Sequence, residues 1–288
     1  MQPLRILLAA VAALAELTAC STSAKPAAPA SYYLALGDSL SQGVQPDATG
    51  ASVPTADGYA DQLYAILHRG RPALRLVRLG CPGETTVTML HGGTCHYAGG
   101  SQLAAADAFL RTHRGHVVLV TLDIGANDPQ DCASSSGLGK ISSCITSMPD
   151  AVNNLATILA DMRTAAGPHT RIVGMSYYLP ELAEWRNGFI GQEIARLSAR
   201  IASSYNDMLV NTYAQAGIPV ADVFGAFDTT NFGDQETVPG LGPLPRNVAL
   251  LCRWTWECAP APRGPNQHAN QAGYAVIANA FLRAANLG

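Results

Sequence analysis

Lysine is almost absent from this chain. Of its 18 basic residues only Lys25 and Lys140 are lysines, and the 16 arginines are scattered without a polybasic run. Charged residues make up 14% of the 288, well under the roughly 25% of an average soluble protein, and the formal net charge is −3. Nucleic-acid binding through bulk charge is thereby excluded, because neutralising phosphates needs a clustered basic face. The first apolar stretch, Ile6 to Ala15, is too short to cross a bilayer, which takes about 20 residues. No cysteine couple has the two-residue spacing of a zinc knuckle and the seven histidines are dispersed, so no metal or other cofactor is expected. What the chain does have is apolar residues, at 48%, enough for a sizeable core and too many for global disorder. The length suits a single α/β domain.

The short apolar stretch behind Arg5 reads as a signal peptide, residues 1–19. Leu17-Thr18-Ala19-Cys20 resembles the bacterial lipobox, which implies lipidation at Cys20 and attachment to the membrane; plain secretion after the Ala-rich segment is the alternative. Residues 20–31, rich in Ala, Ser and Pro, read as a tether, and the folded unit as 32–288. Without Cys20, six cysteines are left in close couples: Cys81 with Cys95, Cys132 with Cys144, Cys252 with Cys258. Sequential disulfides are expected, in an extracytoplasmic setting.

Beyond Tyr32 short apolar runs alternate with longer helical patterns, the mark of a mainly parallel sheet covered by helices. Strands are expected at Tyr33–Leu36, Leu74–Leu79, Val117–Leu122, Arg171–Met175 and Pro219–Val223. Helices are expected at Gly58–His68, Gln102–Arg114, Asp150–Ala166, Gly191–Ala216 and Asn270–Ala285. Two loops, Pro129–Pro149 and Gly225–Gln267, exceed the roughly 2 to 6 residues usual in this architecture. Ligands of such sheets sit beyond the carboxyl ends of the strands, so the segments after each strand are where chemistry is sought.

After the first strand, Gly37-Asp38-Ser39-Leu40-Ser41 offers a serine on a tight strand-to-helix turn. After the second, Cys81-Pro82-Gly83-Glu84 suits a type II turn with Gly83 at positive φ and an outward N–H. After the third, Gly125-Ala126-Asn127-Asp128 brings an amide donor to the same rim. His268, just ahead of the last helix, can reach back to Ser39 as its base. Each residue also has an ordinary role available: a helix cap for Ser39, a turn for Gly83, a loop bond for Asn127, a surface position for His268. Gly174-Met175-Ser176 lacks the closing glycine of a nucleophile elbow, since Tyr178 stands there.

These four blocks, in order and each at a strand end, resemble the SGNH hydrolases of the GDSL family over nearly all of Tyr32 to Gly288. The resemblance implies a flavodoxin-like three-layer α/β/α sandwich and metal-free ester hydrolysis through an acyl-enzyme. It implies Ser39 as nucleophile, His268 as base, and an oxyanion hole from the N–H groups of Ser39 and Gly83 with the Asn127 side chain. The cysteine pattern is similar to that of secreted actinobacterial lipases and esterases. One position departs: the family's acid, three residues before the histidine, is here Pro265. The Pro265 carbonyl is expected to orient His268, with Asn266 pointing elsewhere; Asp234 or Glu257 folded close is the alternative.

The chain is therefore expected to be a monomeric serine esterase acting on an ester with an apolar acyl chain. Trp254, Trp256 and Phe232 are candidates for an acyl pocket, or equally for a small satellite core. A carbohydrate acetyl-esterase on the same scaffold and a catalytically silent surface lipoprotein that binds a ligand are the rival readings.

Overall fold

The computed structural model describes residues 29–128 and 138–287, with side chains in the second span from residue 147 onward. In chain order the elements are β1 (Ser31–Gly37), β2 (Gln45–Pro46), β3 (Ser52–Val53), α1 (Tyr59–Gly70), β4 (Leu74–Arg78), α2 (Thr86–His91), α3 (Gln102–Thr112) and β5 (Val117–Asp123). There follow α4 (Leu138–Ala166), β6 (Arg171–Met175), a 3-10 helix (Pro180–Asn187), α5 (Gly188–Gln215), β7 (Val220–Ala221) and α6 (Val223–Ala226). The chain closes with β8 (Gln235–Val238), β9 (Gly242–Pro245), α7 (Arg246–Trp254) and α8 (Gln271–Ala285).

Five of these strands form one parallel sheet in the order β4-β1-β5-β6-β7. Numbered among themselves, the parallel strands run 2-1-3-4-5, the flavodoxin-like order. Right-handed crossovers put α1 and α8 on one face, where they pack together, and α3, α4 and α5 on the other, each against the next. Such strands are buried on both faces and read as continuous apolar runs. In β1, residues Tyr33 to Gly37 are buried, and in β5 only Val118 is not. Each fully buried leucine, such as Leu34, Leu36 or Leu122, is worth roughly 1.5–3 kcal/mol over an exposed one. The crossover direction reverses between β1 and β5, and the crevice at that switch point lies where their carboxyl ends release residues 38 and 124 onward.

The expected strands and helices are all present, with differences that have physical causes. α4 starts at Leu138, not Asp150, and runs through Pro149. Pro149 is exposed, so the helix hydrogen bond it forfeits faces water, while Met148, Ala151 and Leu155 hold the same helix to the core. Gly225–Gln267 is not a loop but carries the β8–β9 hairpin and α7, clamped by Glu236, which bridges Arg246 and Arg253. No helix follows Ser39. Residues 39–44 are closed instead by turn bonds from the N–H groups of Gln42 and Val44 to Ser39 O and of Gly43 to Leu40 O. No helix among the described residues is long and apolar enough to cross a membrane. The signal peptide, Cys20 and Cys132 lie outside the described residues, as does the side chain of Cys144.

Candidate active site

β1 ends in Gly37, whose φ of +125° carries the chain sharply off the sheet. A side chain there would place its Cβ 1.9 Å from the Asp123 carbonyl, so only glycine fits. Its main chain is clamped by a buried residue of α3: the Gly37 N–H donates to Gln102 Oε1 at 2.7 Å, and Gln102 Nε2 donates to Gly37 O at 2.9 Å. In the segment 33–40 every residue is buried except Ser39, which reaches partway to the surface.

The second block is tied to the first, since the Cys81 N–H donates to Gly37 O at 3.0 Å. Cys81-Pro82-Gly83-Glu84 closes through Glu84 N–H to Cys81 O at 3.0 Å with Gly83 at φ +81°, the type II turn expected. Gly83 is exposed. The third block is tied to the second by both of its polar residues. Asn127 Nδ2 donates to Glu84 O at 2.9 Å, and the Asp128 carboxylate accepts the Thr86 N–H at 3.0 Å and the Thr86 hydroxyl. Ser39, Gly83 and Asn127 thus come from adjacent strands β1, β4 and β5, laced together by one main-chain bond and by the side chains of Asn127 and Asp128.

His268 completes the group: its Nε2 lies 3.0 Å from Ser39 Oγ. The other ring nitrogen, Nδ1, is 2.8 Å from Asn266 Oδ1, and the same oxygen accepts the His268 main-chain N–H at 3.1 Å. A main-chain N–H can only donate, so the amide atom it meets is the oxygen, and Nδ1 facing that oxygen carries the proton. Nε2 is then bare and accepts from the serine hydroxyl. The amide is locked in this sense by its other end, Asn266 Nδ2, which donates to Ser52 Oγ of β3 at 2.9 Å. Burial lowers the imidazole pKa from its ordinary value to about 4, since desolvation disfavours the charged ring.

The expectation for the histidine's partner is corrected here. The acceptor is the Asn266 side chain and not the Pro265 carbonyl, because Ser52 takes up the amide nitrogen and turns the oxygen toward the ring. Neither alternative carboxylate bonds to His268. Asp234 accepts from Asn231 Nδ2 inside the hairpin region, and Glu257 stands near Glu181 and Glu184, its carboxyl pushed up to about 7 by burial first and those neighbours second. Ser176 of the rejected motif is buried and accepts the Phe224 N–H, a link within the fold.

Trp254, Trp256 and Phe232 do not line one pocket. Trp254 packs edge-on against Phe227, and Phe232 stacks with Trp185 beneath the Arg196 guanidinium. Trp256 alone borders an open recess of about 360 Å³, with Ala48 and Arg263. Cys81–Cys95 and Cys252–Cys258 are disulfide-bonded. Among the described residues no cluster of three or more His, Cys, Asp or Glu side chains could hold a metal ion. Sequence reasoning missed Gln102, Ser52 and the two acids under the serine, Asp38 and Asp123. The only signal for Asp123 was a carboxylate between Leu122 and Ile124 in an otherwise apolar run.

A serine hydroxyl bonded to a correctly protonated imidazole, at the switch point of a flavodoxin-like sheet, defines a hydrolase of the serine–histidine type. The chain belongs to the GDSL-like lipase/acylhydrolase family, which matches residues 35–276, and is a carboxylic ester hydrolase. No curated protein sequence matches it. Among solved structures it is similar to an extracellular lipase from Streptomyces rimosus, at 18% identity over 88% of this chain and 100% of that one, TM-score 0.53. It is also similar to a catalytic mutant of an acetylxylan esterase from Geobacillus stearothermophilus, at 15% identity over 89% and 94%, TM-score 0.55. A hydrolase from the metagenome of Lake Arreo, Spain, shares 20% identity over 90% and 97%, TM-score 0.50. At these identities the likeness is one of fold.

Proposed function

We propose that the chain hydrolyses carboxylic esters through an acyl-enzyme on Ser39. The observation that carries this reading is the 3.0 Å contact of Ser39 Oγ with a His268 Nε2 left bare by the Asn266 bond. As Oγ attacks the ester carbonyl, its proton passes to Nε2 and a C–O bond forms, placing negative charge on the carbonyl oxygen. The N–H groups of Ser39 and Gly83 and the Asn127 amide receive that charge. The tetrahedral species collapses, the bond to the alcohol breaks, and His268 returns the proton to the leaving oxygen. Water then repeats the sequence on the acyl-enzyme. Asn266, a neutral group, fixes the tautomer without supplying the countercharge a carboxylate would.

Short acyl chains are the substrates proposed, because Trp254 and Phe232, two of the three aromatic residues that would build a deep acyl pocket, are packed against Phe227 and Trp185 instead. An acyl-lipid ester is the second reading, supported by the recess beside Trp256, and acetyl groups on carbohydrate fit the first. We place the protein outside the cytoplasm on the strength of the two disulfides among the described residues, held to the membrane through Cys20, and acting as a monomer. Fluorophosphonate labelling with peptide mapping tests the core of the proposal. Label on Ser39, a burst with p-nitrophenyl acetate and loss of both in Ser39→Ala are expected, whereas a folded Ser39→Ala with wild-type turnover would refute it. Rates along a p-nitrophenyl series from acetate to palmitate decide between the two acyl classes.

A further inference from the structure

We propose that the buried pair Asp38 and Asp123 is a positioning device for the oxyanion hole, binding the N–H groups of the nucleophile turn so that only that of Ser39 is left for the substrate. This rests on the hydrolase reading and deepens it. The turn has four consecutive N–H groups, at residues 38 to 41. The N–H of Asp38 donates to the Asp123 carbonyl at 3.0 Å and lies 3.3 Å from Asp123 Oδ2. That of Leu40 donates to Asp38 Oδ1 at 2.9 Å, and that of Ser41 to Asp123 Oδ2 at 3.1 Å. The Ser39 N–H has no acceptor among the described residues. One carboxylate oxygen thus grips the chain on both sides of Ser39, and the other acid closes the turn between them.

Asp123 is fully buried and Asp38 is 2% exposed, and no Lys, Arg or His bonds to either among the described residues. The polar company of the pair includes Tyr59, whose hydroxyl lies 2.5 Å from Asp123 Oδ1, and the Ser39 hydroxyl beside Asp38. Two adjacent carboxyls in such a place cannot both be charged, so they hold one proton between them. Burial pushes Asp38 up to about 6 and raises Asp123 too, its neighbour Asp38 adding to the rise. An asparagine at 123 keeps a neutral side chain with one oxygen to accept the N–H bonds of Asp38 and Ser41, its amide nitrogen lying on the side of the Tyr59 hydroxyl.

The test uses the full chain, p-nitrophenyl acetate, circular dichroism for folding and the fluorophosphonate labelling rate. In Asp123→Leu, kcat and the labelling rate are expected to fall on the order of 10²–10³-fold, the scale of a lost oxyanion donor, with KM within about threefold. Asp123→Asn should recover kcat to within about tenfold of wild type. A folded leucine variant with near-wild-type kcat overturns the proposal, as does a joint loss of kcat and KM that asparagine does not repair. Should the leucine variant not fold, Asp38→Ala removes the Leu40 acceptor and the partner of Asp123 while leaving the Asp123 bonds to residues 38 and 41; a fall in kcat of about tenfold at constant KM supports the device, and an unchanged kcat overturns it. Wild-type protein that neither hydrolyses the ester nor takes the label defeats the hydrolase reading itself, a result distinct from either.

Discussion

The proposed nucleophile and its base stand on supports of opposite kind. Ser39 rises from the end of a central strand, between buried residues, and its turn is gripped by Asp38, Asp123 and, through Gly37, Gln102. His268 stands on a stretch without a strand of the main sheet. It is held by Trp256 N–H to His268 O at 3.0 Å, by Tyr178 OH to Gln267 O at 2.8 Å and by the isolated bridge between Thr255 and Ala269. Carboxyl groups shape the first region; amides and carbonyls shape the second. The serine side is thus preorganised by groups that cannot relax toward water, whereas the histidine side depends on a chain of single bonds reaching to Ser52. The two sides should fail differently.

The largest effect should come from the strand-borne side. Asn127→Ala removes the proposed oxyanion donor and is expected to lower kcat on the order of 10²–10³-fold while leaving KM nearly constant. Steady-state kinetics on p-nitrophenyl acetate check this, and an effect confined to KM would make Asn127 a ground-state binding residue.

Next comes the histidine side, where the neutral partner makes two measurable differences. Asn266→Ala leaves Nδ1 without its acceptor and is expected to lower kcat about tenfold to a hundredfold, the equivalent of roughly 1–3 kcal/mol for an unsatisfied buried group. The pH profile separates orientation from charge. His268 acts as a base only when deprotonated, and its pKa is lowered to about 4, so kcat/KM should be level from mildly acidic pH upward and fall as pH drops through about 4. Asn266→Asp puts a negative charge beside the ring, which favours the imidazolium and moves the acid limb upward toward the ordinary value. An acid limb that does not move would place the charge too far from the ring to matter.

A smaller effect is expected from the staple behind the histidine. Cys252 and Cys258 close a loop six residues in span that contains Thr255 and Trp256, the residues paired with Ala269 and His268. Cross-linking a loop of that size contributes on the order of 2 kcal/mol in the chain-entropy model. Replacing both by serine should lower Tm and cost activity at temperatures below the new Tm, because the His268 segment loosens before the sheet does. Coincident loss of activity and circular dichroism on heating would argue that the staple acts on global stability alone.

The contrast also explains what could be read from the sequence. The sheet was legible because doubly buried strands such as Leu119 to Leu122 carry unbroken apolar runs, and the site was legible because each chemical block follows such a run. Helical α4 was cut short at Pro149, since the sequence does not say which face of a helix a proline occupies. The sequence points to Pro265 as the orienting partner of His268 because an amide can present either end. What decides between them is Ser52, 214 residues away from Asn266 in sequence, and no local pattern reports that contact. Trp254, Trp256 and Phe232 are close in sequence yet end in three separate environments, because their partners Phe227, Gln45 and Trp185 are set by tertiary packing. Asp123 escaped notice for a related reason: at the end of a strand a carboxylate reads as the start of a loop, and only the fold turns it inward.

The smallest expected effect tests whether the carboxyl at the edge of the histidine side is merely tolerated there. Glu257 is held near pKa 7 by burial, then by Glu181 and Glu184, against an ordinary value of 4.5. Between those two values the folded state binds more protons than the unfolded chain, so this group's contribution to stability falls as pH rises through the window. Below about 4.5 it is protonated in both states and contributes nothing that glutamine would not. Above about 7 it is charged in the fold and opposed by its neighbours. Glu257→Gln is therefore expected to raise Tm by about 1–3 °C at pH 8 and leave it unchanged at pH 4, as read by calorimetry at both pH values. His268 shifts stability in the opposite direction over an overlapping window, but it is common to both proteins and cancels in the difference. Equal Tm values at pH 8 would mean that Glu257 is solvated in the fold, and a lowered value that it makes a favourable contact as the anion. If the rise is found and kcat is unaltered, the carboxyl is a cost carried by the loop and not a member of the catalytic group.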